Sequence, residues 1–191
     1  MKYRSKILWL DTETTGTNAK RHDIWQIAYL VEIDGNIVDG MEMKIRPSRI
    51  ENATEKALEV GGVTREKLSE IETDIVEAVS TLKESWSKYI DKYDRNDKFV
   101  MAGYNVRFDY EFVYEMFKKA GDKYGLGSWC FWPVLDVASF LGDAISRYAL
   151  RFPNYKLGTV CENLGIDFEA HDALEDIRAT MRLYKVLRGL R

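Results

Sequence analysis

Apolar residues recur along this chain at two spacings, and the spacings alternate. "KILWLD" (6–11) is a short run with apolar residues on both faces, the mark of a central strand. "IWQIAYLVEIDGNIVDGMEMKI" (24–45) reads as two strands joined at "DGN", with Pro47 closing the second. Short helical pieces are expected over 51–60 and 64–71, around "GGVT". From about Asp74 to Tyr93, Ile75, Val79, Leu82, Trp86 and Ile90 recur every three or four residues and predict an amphipathic helix. "FVMAGYN" (99–105) is a second buried strand, followed by a helix over 106–120 that Gly121 stops. The glycine- and aromatic-rich connection 121–133 is expected to pack against the core rather than to face a substrate. "VLDVASFL" (134–141) fits a strand or a helix start. "KLGTVCENLG" (156–165) is a short helix with Leu157, Val160, Cys161 and Leu164 on one face and Gly165 past its end. The last helix is expected over 172–189. The order predicts a mixed α/β layer fold.

Composition narrows the class. A chain of 191 residues with 46% apolar and 13% aromatic residues is long enough for one domain with a sizeable core, so 1–191 is read as a single domain. Cys130 and Cys161 form no metal-binding spacing and read as reduced core thiols. The basic N-terminus carries too short an apolar run for a signal peptide or a membrane span, so a soluble cytoplasmic protein without membrane contacts is expected. The net charge of −3 argues against a nucleic-acid binder, unless cations that the sequence does not count offset the acids.

Three stretches place acids where they should not be. In "WLDTETTG", Asp11 and Glu13 stand two apart on a strand and share a face. In "GYNVRFDYEFVYEMFKKAG", Asp109 heads the apolar stripe Phe112, Val113, Met116 and Ala120, with Asn105 as the expected helix cap. In "AHDALEDI", Asp172 and Glu175 look like a capping box. A projection at about 100° per residue puts Asp176 between Leu183 and Leu187, inside the apolar sector. Several buried carboxylates without partners are very costly, and no arginine or lysine shares their stripes. Hard divalent cations such as magnesium or manganese suit an oxygen-only ligand set, and two of them form a clamp for phosphodiester hydrolysis. His171, beside these acids, fits a general base for water. His22 lies in the polar loop "NAKRHD" and is given no role.

"DTETTG", "GYNVRFD" and "HDALED" together resemble the three motifs of the DEDDh 3′–5′ exonucleases, in particular the epsilon proofreading subunits of bacterial DNA polymerase III. The resemblance extends over the hairpin, "VGGVTREKL", Asp136 in "VLDVASF" and "YKLGTVCENLGI". It implies a ribonuclease-H-like fold, a five-stranded mixed sheet flanked by helices. It also implies two divalent cations, Mg2+ or Mn2+: Asp11, Glu13 and Asp176 would hold one, and Asp11 with Asp109 the other. His171 would take the proton of the attacking water. Thr14, Thr15 and Gly16 would contact the 3′-terminal nucleotide, and Asn105 and Phe108 would line its pocket. Two positions depart from the pattern: Tyr104 stands where many relatives have histidine, and Gly61-Gly62 where many have His-Gly.

The activity so implied is release of nucleoside 5′-monophosphates from the 3′ end of DNA, expected to be single-stranded, for proofreading or repair and with a polymerase as a possible partner. An RNA-trimming exonuclease is the alternative, and Thr14-Thr15 leans away from it. A catalytically silent binding subunit would be expected to lack one of the acids. A ribonuclease-H-type endonuclease does not account for the HxAxxD motif, and Glu13 does not suit a phosphatase DxDxT loop. An acidic adaptor would turn its acids outward. Candidate phosphate contacts are Lys2, Arg4, Arg107, Arg147, Arg151 and Lys156. Trp129, Phe131 and Trp132 are candidates for base stacking, with core packing the preferred reading.

Overall fold

A computed structural model describes residues 4–167 and 173–190. The first apolar run becomes strand β1 (Lys6–Thr14), which carries straight through "DTET". It pairs antiparallel with β2 (Ile24–Ile33) along its whole length, from Lys6↔Ile33 to Thr14↔Ile24. On its other side it pairs in parallel with β4 (Val100–Gly103), but only over Ile7, Leu8 and Trp9. The hairpin to β3 (Asn36–Lys44) turns at Asp34 and Gly35, with φ of 50° and 85°, the left-handed pair that a two-residue turn demands. A two-residue strand β5 (Leu135–Asp136) completes a mixed sheet in the order β3-β2-β1-β4-β5. The stretch read as strand or helix start is both, because helix α5 (Val137–Tyr148) begins at once, capped by Asp136.

The other helices follow the expected periodicity. Thr54 caps α1 (Glu55–Gly61), Thr64 caps α2 (Arg65–Ser69), and Asp74 accepts from two N–H groups at the head of α3 (Ile75–Trp86). The helix α3 stops at Trp86 rather than near Tyr93. Beyond it the carboxylates of Asp91, Asp94 and Asp97 accept from backbone N–H groups of Tyr93, Asn96 and Asp91, offering the chain turns in place of helix. Ile90 is buried all the same. Helices α4 (Arg107–Lys119), α6 (Leu157–Asn163) and α7 (Ala173–Gly189) complete the set.

The alternation along β1 divides the core. Leu8 and Leu10 face α3 and α4, whereas Trp9 faces α5, α6 and α7. The aromatic connection splits too: Leu126 and Trp129 are buried as expected, but Trp132 stands in solvent. Both cysteines are buried free thiols. Among the described residues no helix is long and apolar enough to cross a membrane.

Trp86 is fully buried in the α3/α4 layer, where its ring meets Tyr29, Phe99, Phe117 and Trp129 at centroid distances of 5.8–6.3 Å. Trp86→Ala is expected to cost about 3–5 kcal/mol of stability by urea unfolding. A loss below about 1 kcal/mol would show that this aromatic cluster is not the centre of the layer.

Candidate active site

The sheet is unevenly filled at one end. After Gly103 the chain of β4 turns away, while β1 continues to Thr14. A Cβ at Gly103 would stand 2.8 Å from the Leu10 carbonyl, so this close departure needs glycine. The turn leads directly into α4. Asp109, in the first turn of α4 and 4% exposed, reaches the open edge of β1. Its Oδ1 accepts from the Thr12 backbone N–H at 3.0 Å and from the Thr12 hydroxyl at 2.7 Å.

Asp11 and Glu13 share the face of Trp9, the face on which α7 packs, as their spacing predicted. Asp176 enters from the first turn of α7 and is half-buried among Ala173, Ile177 and Thr180. The structure therefore brings Asp11, Glu13, Asp109 and Asp176 to the same end of β1. Their electrostatic contact is explicit at Asp11. Burial, and then the charges of Asp109, Asp176 and Glu13, hold its carboxyl well above the usual carboxylate range. Burial pushes Asp109 up to about 7, with Glu13 adding to the rise and the Thr12 hydrogen bonds opposing it.

This donor set is oxygen-only, anionic and shielded from water, which fits a hard divalent cation. Among the described residues no three of the acids already stand so as to hold a metal ion. Without a cation between them, carboxylates repel and take up protons. His171 and Asp172 lie outside the described residues, and so does Lys2.

The residues expected to touch a terminal nucleotide divide. Thr14 is half-buried, and its hydroxyl donates to the Gly16 carbonyl at 2.8 Å. Thr15 is fully buried, so its side chain is not offered to a substrate. Its hydroxyl accepts from the Asp23 N–H at 3.0 Å, its own N–H donates to the Asp23 carbonyl, and its carbonyl accepts from Thr54. Gly16 is required by a neighbour, since a Cβ there would lie 2.6 Å from the His22 ring. Asn105 does not cap α4. It adopts φ of 58°, its N–H donates to Asp136 Oδ1 at 2.8 Å, and Val106 occupies the cap position with no side-chain bond. The Asn105 side chain is exposed, and the Phe108 ring packs tilted against Phe112 with centroids 4.7 Å apart. Tyr104 spans to the Tyr155 carbonyl through its hydroxyl, and burial pushes that phenol up to about 12. Gly61 packs its backbone on Trp25 and Gly62 is the left-handed cap of α1. Among the phosphate candidates, Arg4 pairs with Asp34 at the opposite end of β1 and does not share the site. Arg107 is exposed at the head of α4.

Sequence reasoning missed the support beneath these residues. The Asp23 side chain is 2% exposed and binds Lys119 Nζ at 2.7 Å and Arg49 Nη2 at 2.9 Å through Oδ1; its Oδ2 accepts from the Arg49 N–H and the Ser48 hydroxyl. Lys119 also donates to the Ala19 and His22 carbonyls. Burial alone would raise the Asp23 pKa, but the Arg49 and Lys119 bonds outweigh it and hold the carboxyl below its ordinary value. His22 Nδ1 accepts from the Asn18 N–H at 3.0 Å. The one available signal was Asp23 itself, an acid directly before an apolar strand.

Residues 8–184 match the family described as Exonuclease. The chain is 29% identical over 179 residues to the PolC-type DNA polymerase III of Thermotoga petrophila, covering 92% of this chain and 11% of that protein. The corresponding Bacillus subtilis polymerase is 27% identical over 175 residues, again 91% of this chain and 11% of the relative. The chain thus spans about a tenth of the length of these relatives. Among solved structures, exonuclease I from Methylocaldum szegediense superposes with a TM-score of 0.77 at 22% identity, over 98% of this chain and 41% of that one. E. coli exonuclease I in complex with a dT13 oligonucleotide gives 0.77 at 20%, over 97% and 41%. These likenesses bear out the five-stranded mixed sheet flanked by helices. Members of the family generally use divalent metal ions.

Two outcomes follow from the site's electrostatics. In chelator, the folded protein holds protons on Asp109 and Asp11 that the unfolded chain has already released, so stability should fall as pH rises from about 4 through about 7. A divalent cation should reverse the fall, adding about 2.7 kcal/mol at a hundredfold excess over its Kd at pH 8 and much less at pH 5. Thermal melts across pH, with and without the ion, check this, and identical melts at pH 8 would contradict it. Separately, Asp23→Asn should cost roughly 3 kcal/mol at neutral pH by leaving Lys119 and Arg49 without their anion. Because the Asp23 pKa is lowered, that difference should persist above the ordinary carboxylate range and vanish as pH falls through the lowered value, where the wild type loses the same charge.

Proposed function

Because the chain belongs to the exonuclease family, as a DEDD-type 3′–5′ exonuclease domain of the ribonuclease-H-like superfamily, we propose that it removes nucleoside 5′-monophosphates one at a time from the 3′ end of single-stranded DNA. The observation that carries this reading is the meeting of Asp11, Glu13, Asp109 and Asp176 at the end of β1, where burial and then the other three charges raise Asp11. The unit proposed to do so is the single domain 1–191.

In this reading Asp11, Glu13 and Asp176 hold one divalent cation, and Asp11 with Asp109 holds a second. Magnesium or manganese there supplies the positive charge that steadies an attacking water, the scissile phosphate and a leaving 3′ oxygen. Asp109 has one oxygen committed to Thr12, which leaves Oδ2 for that task and fixes the direction in which it points. His171 accepts the proton of the water. Asn105, Phe108 and Thr14 border the terminal nucleotide, Gly16 lets the loop fold close to His22, and Thr15 acts from behind by tying the loop to Asp23.

DNA as substrate is supported by the relatives. The similar polymerases are DNA polymerases, and the similar E. coli exonuclease I was solved with a DNA oligonucleotide. A polymerase partner is the natural extension of the first likeness, and a bacterial-type cytoplasmic setting agrees with both.

End-labelled single-stranded DNA and RNA, incubated with magnesium or manganese, test the proposal. The expected result is a one-nucleotide ladder from the 3′ end of DNA, abolished by chelator and by Asp11→Ala. His171→Ala is expected to lose about 10²–10⁴-fold in rate while still binding the cation. Internal cuts, or full activity in both variants, would overturn the reading; a ladder on RNA alone would move the substrate to RNA.

A further inference from the structure

Trp132 is the one tryptophan of the five that stands in solvent, at 58% exposure, while Trp9, Trp25, Trp86 and Trp129 are 0–5% exposed. A tryptophan left outside a core that buries four others is the informative exception. Its ring does not stand alone. The Tyr110 ring lies 5.2 Å away, tilted by 59°, and the Arg107 guanidinium lies 5.9 Å from the Trp132 ring centre. Arg107 and Tyr110 belong to the first turn of α4, the turn that carries Asp109.

The surface continues from there. A cleft of about 590 Å³ runs between α4 and residues 17–20, the segment that follows Thr14–Gly16. Tyr110 and Tyr114 line it, and Tyr114 is 47% exposed. Its charged lining is Lys20, Glu111 and Glu115, with Glu111 paired to Arg107 at 3.5 Å and Glu115 to Lys118 at 3.7 Å. The two acids repel phosphate, so the flat faces of bases suit this surface better than a sugar–phosphate backbone. The Arg107 guanidinium beside Trp132 then offers a cation for a phosphate at the outer edge.

We propose that Trp132, Tyr110 and Arg107 form a stacking subsite for an unpaired nucleotide upstream of the terminal one, with no preference among bases. It rests on the exonuclease reading for its substrate and deepens it: the strand must be single at that point, because a base inside a duplex is held stacked on both faces and has none to offer the ring. Aromatic stacking of this kind is sequence-tolerant, and its removal costs roughly ten- to a hundredfold in binding. An exposed tryptophan and arginine also suit a protein partner. The nucleic acid is favoured because the shelf is continuous, through the first turn of α4, with the acids.

The four buried tryptophans also emit, so the part of the intrinsic fluorescence, and of its quenching, that Trp132→Phe removes is what reports on Trp132. In chelator, a short single-stranded DNA should quench the wild-type emission, and a blunt duplex of equal length should quench far less. Trp132→Ala should weaken binding of the oligonucleotide about tenfold and lower by a similar factor the preference, in kcat/KM, for the oligonucleotide over a nitrophenyl ester of thymidine 5′-monophosphate, which has no upstream nucleotide. Trp132→Phe should restore most of both. Tyr93→Ala, at an exposed aromatic remote from the acids, should change neither. Absence of quenching at saturating DNA, or an oligonucleotide preference unmoved by Trp132→Ala, would overturn the subsite and leave a protein partner as the use of this surface. If neither substrate is hydrolysed, the exonuclease reading fails, while the quenching measured in chelator still decides whether the shelf binds single strands.

Discussion

The Asp109 carboxylate stands where a strand should be. β1 outruns β4, and its open edge would expose the Thr12 N–H to an apolar surrounding; Asp109 accepts that N–H and the Thr12 hydroxyl as well. A hydrogen bond to a charged group contributes about 1.5–3 kcal/mol, and an orphaned buried N–H costs a similar amount. The sheet edge therefore holds the acid, and the acid finishes the sheet edge. One oxygen is spent on this task, which aims the other. A helix bearing an acid on its inner face is oriented by the strand it completes.

The far end of the same helix is tied down independently. Lys119, twelve positions past Arg107 in α4, binds Asp23 and two carbonyls of the 19–22 loop. Asp23 in turn holds Thr15 through its backbone, and Thr15 lies two residues beyond Glu13. Helix α4 is thus clamped at both ends to the same few residues of β1 and the loop after it. A site built on elements so fixed keeps its acids in register even though they repel one another, which is the condition for holding charge in place before a cation arrives.

The pattern of apolar residues carried most of the fold. Strands β1 and β2, the hairpin turn at Asp34-Gly35 and the inner face of α4 are all local statements, and spacing reads local statements well. The acids were legible for the same reason, because each broke a local apolar pattern. The Asn105 cap was misread, and the tie at Thr15 was not foreseen, because these arrangements depend on residues 31 and 8 positions away, Asp136 and Asp23. The Asp23–Lys119 pair, separated by 96 positions, had no local signature at all. The end of α3 was missed because aspartate turns compete with a helix through their own side chains, and an apolar stripe that continues to Ile90 conceals the competition.

The acids also explain why so much apolar surface surrounds them. A cluster of four carboxylates in which Asp11 and Asp109 are raised by burial and by neighbouring acids is a destabilising feature. That strain has to be borne by the layers on either side: Trp86 and its aromatic neighbours under α4, and Trp9, Ala28 and Leu183 under α7. The division is visible along β1 itself, where Leu8, Trp9 and Leu10 are buried on both faces and Asp11 follows directly. The same strand is an anchor for its first half and a bearer of carboxylates for its second. Moving the acids two residues earlier would place them between two packed layers with no opening for substrate. Moving them two residues later would leave them in the loop, without Asp109 at the edge. The point where β4 leaves the sheet is the position at which a carboxylate is both shielded from bulk water and reachable from it.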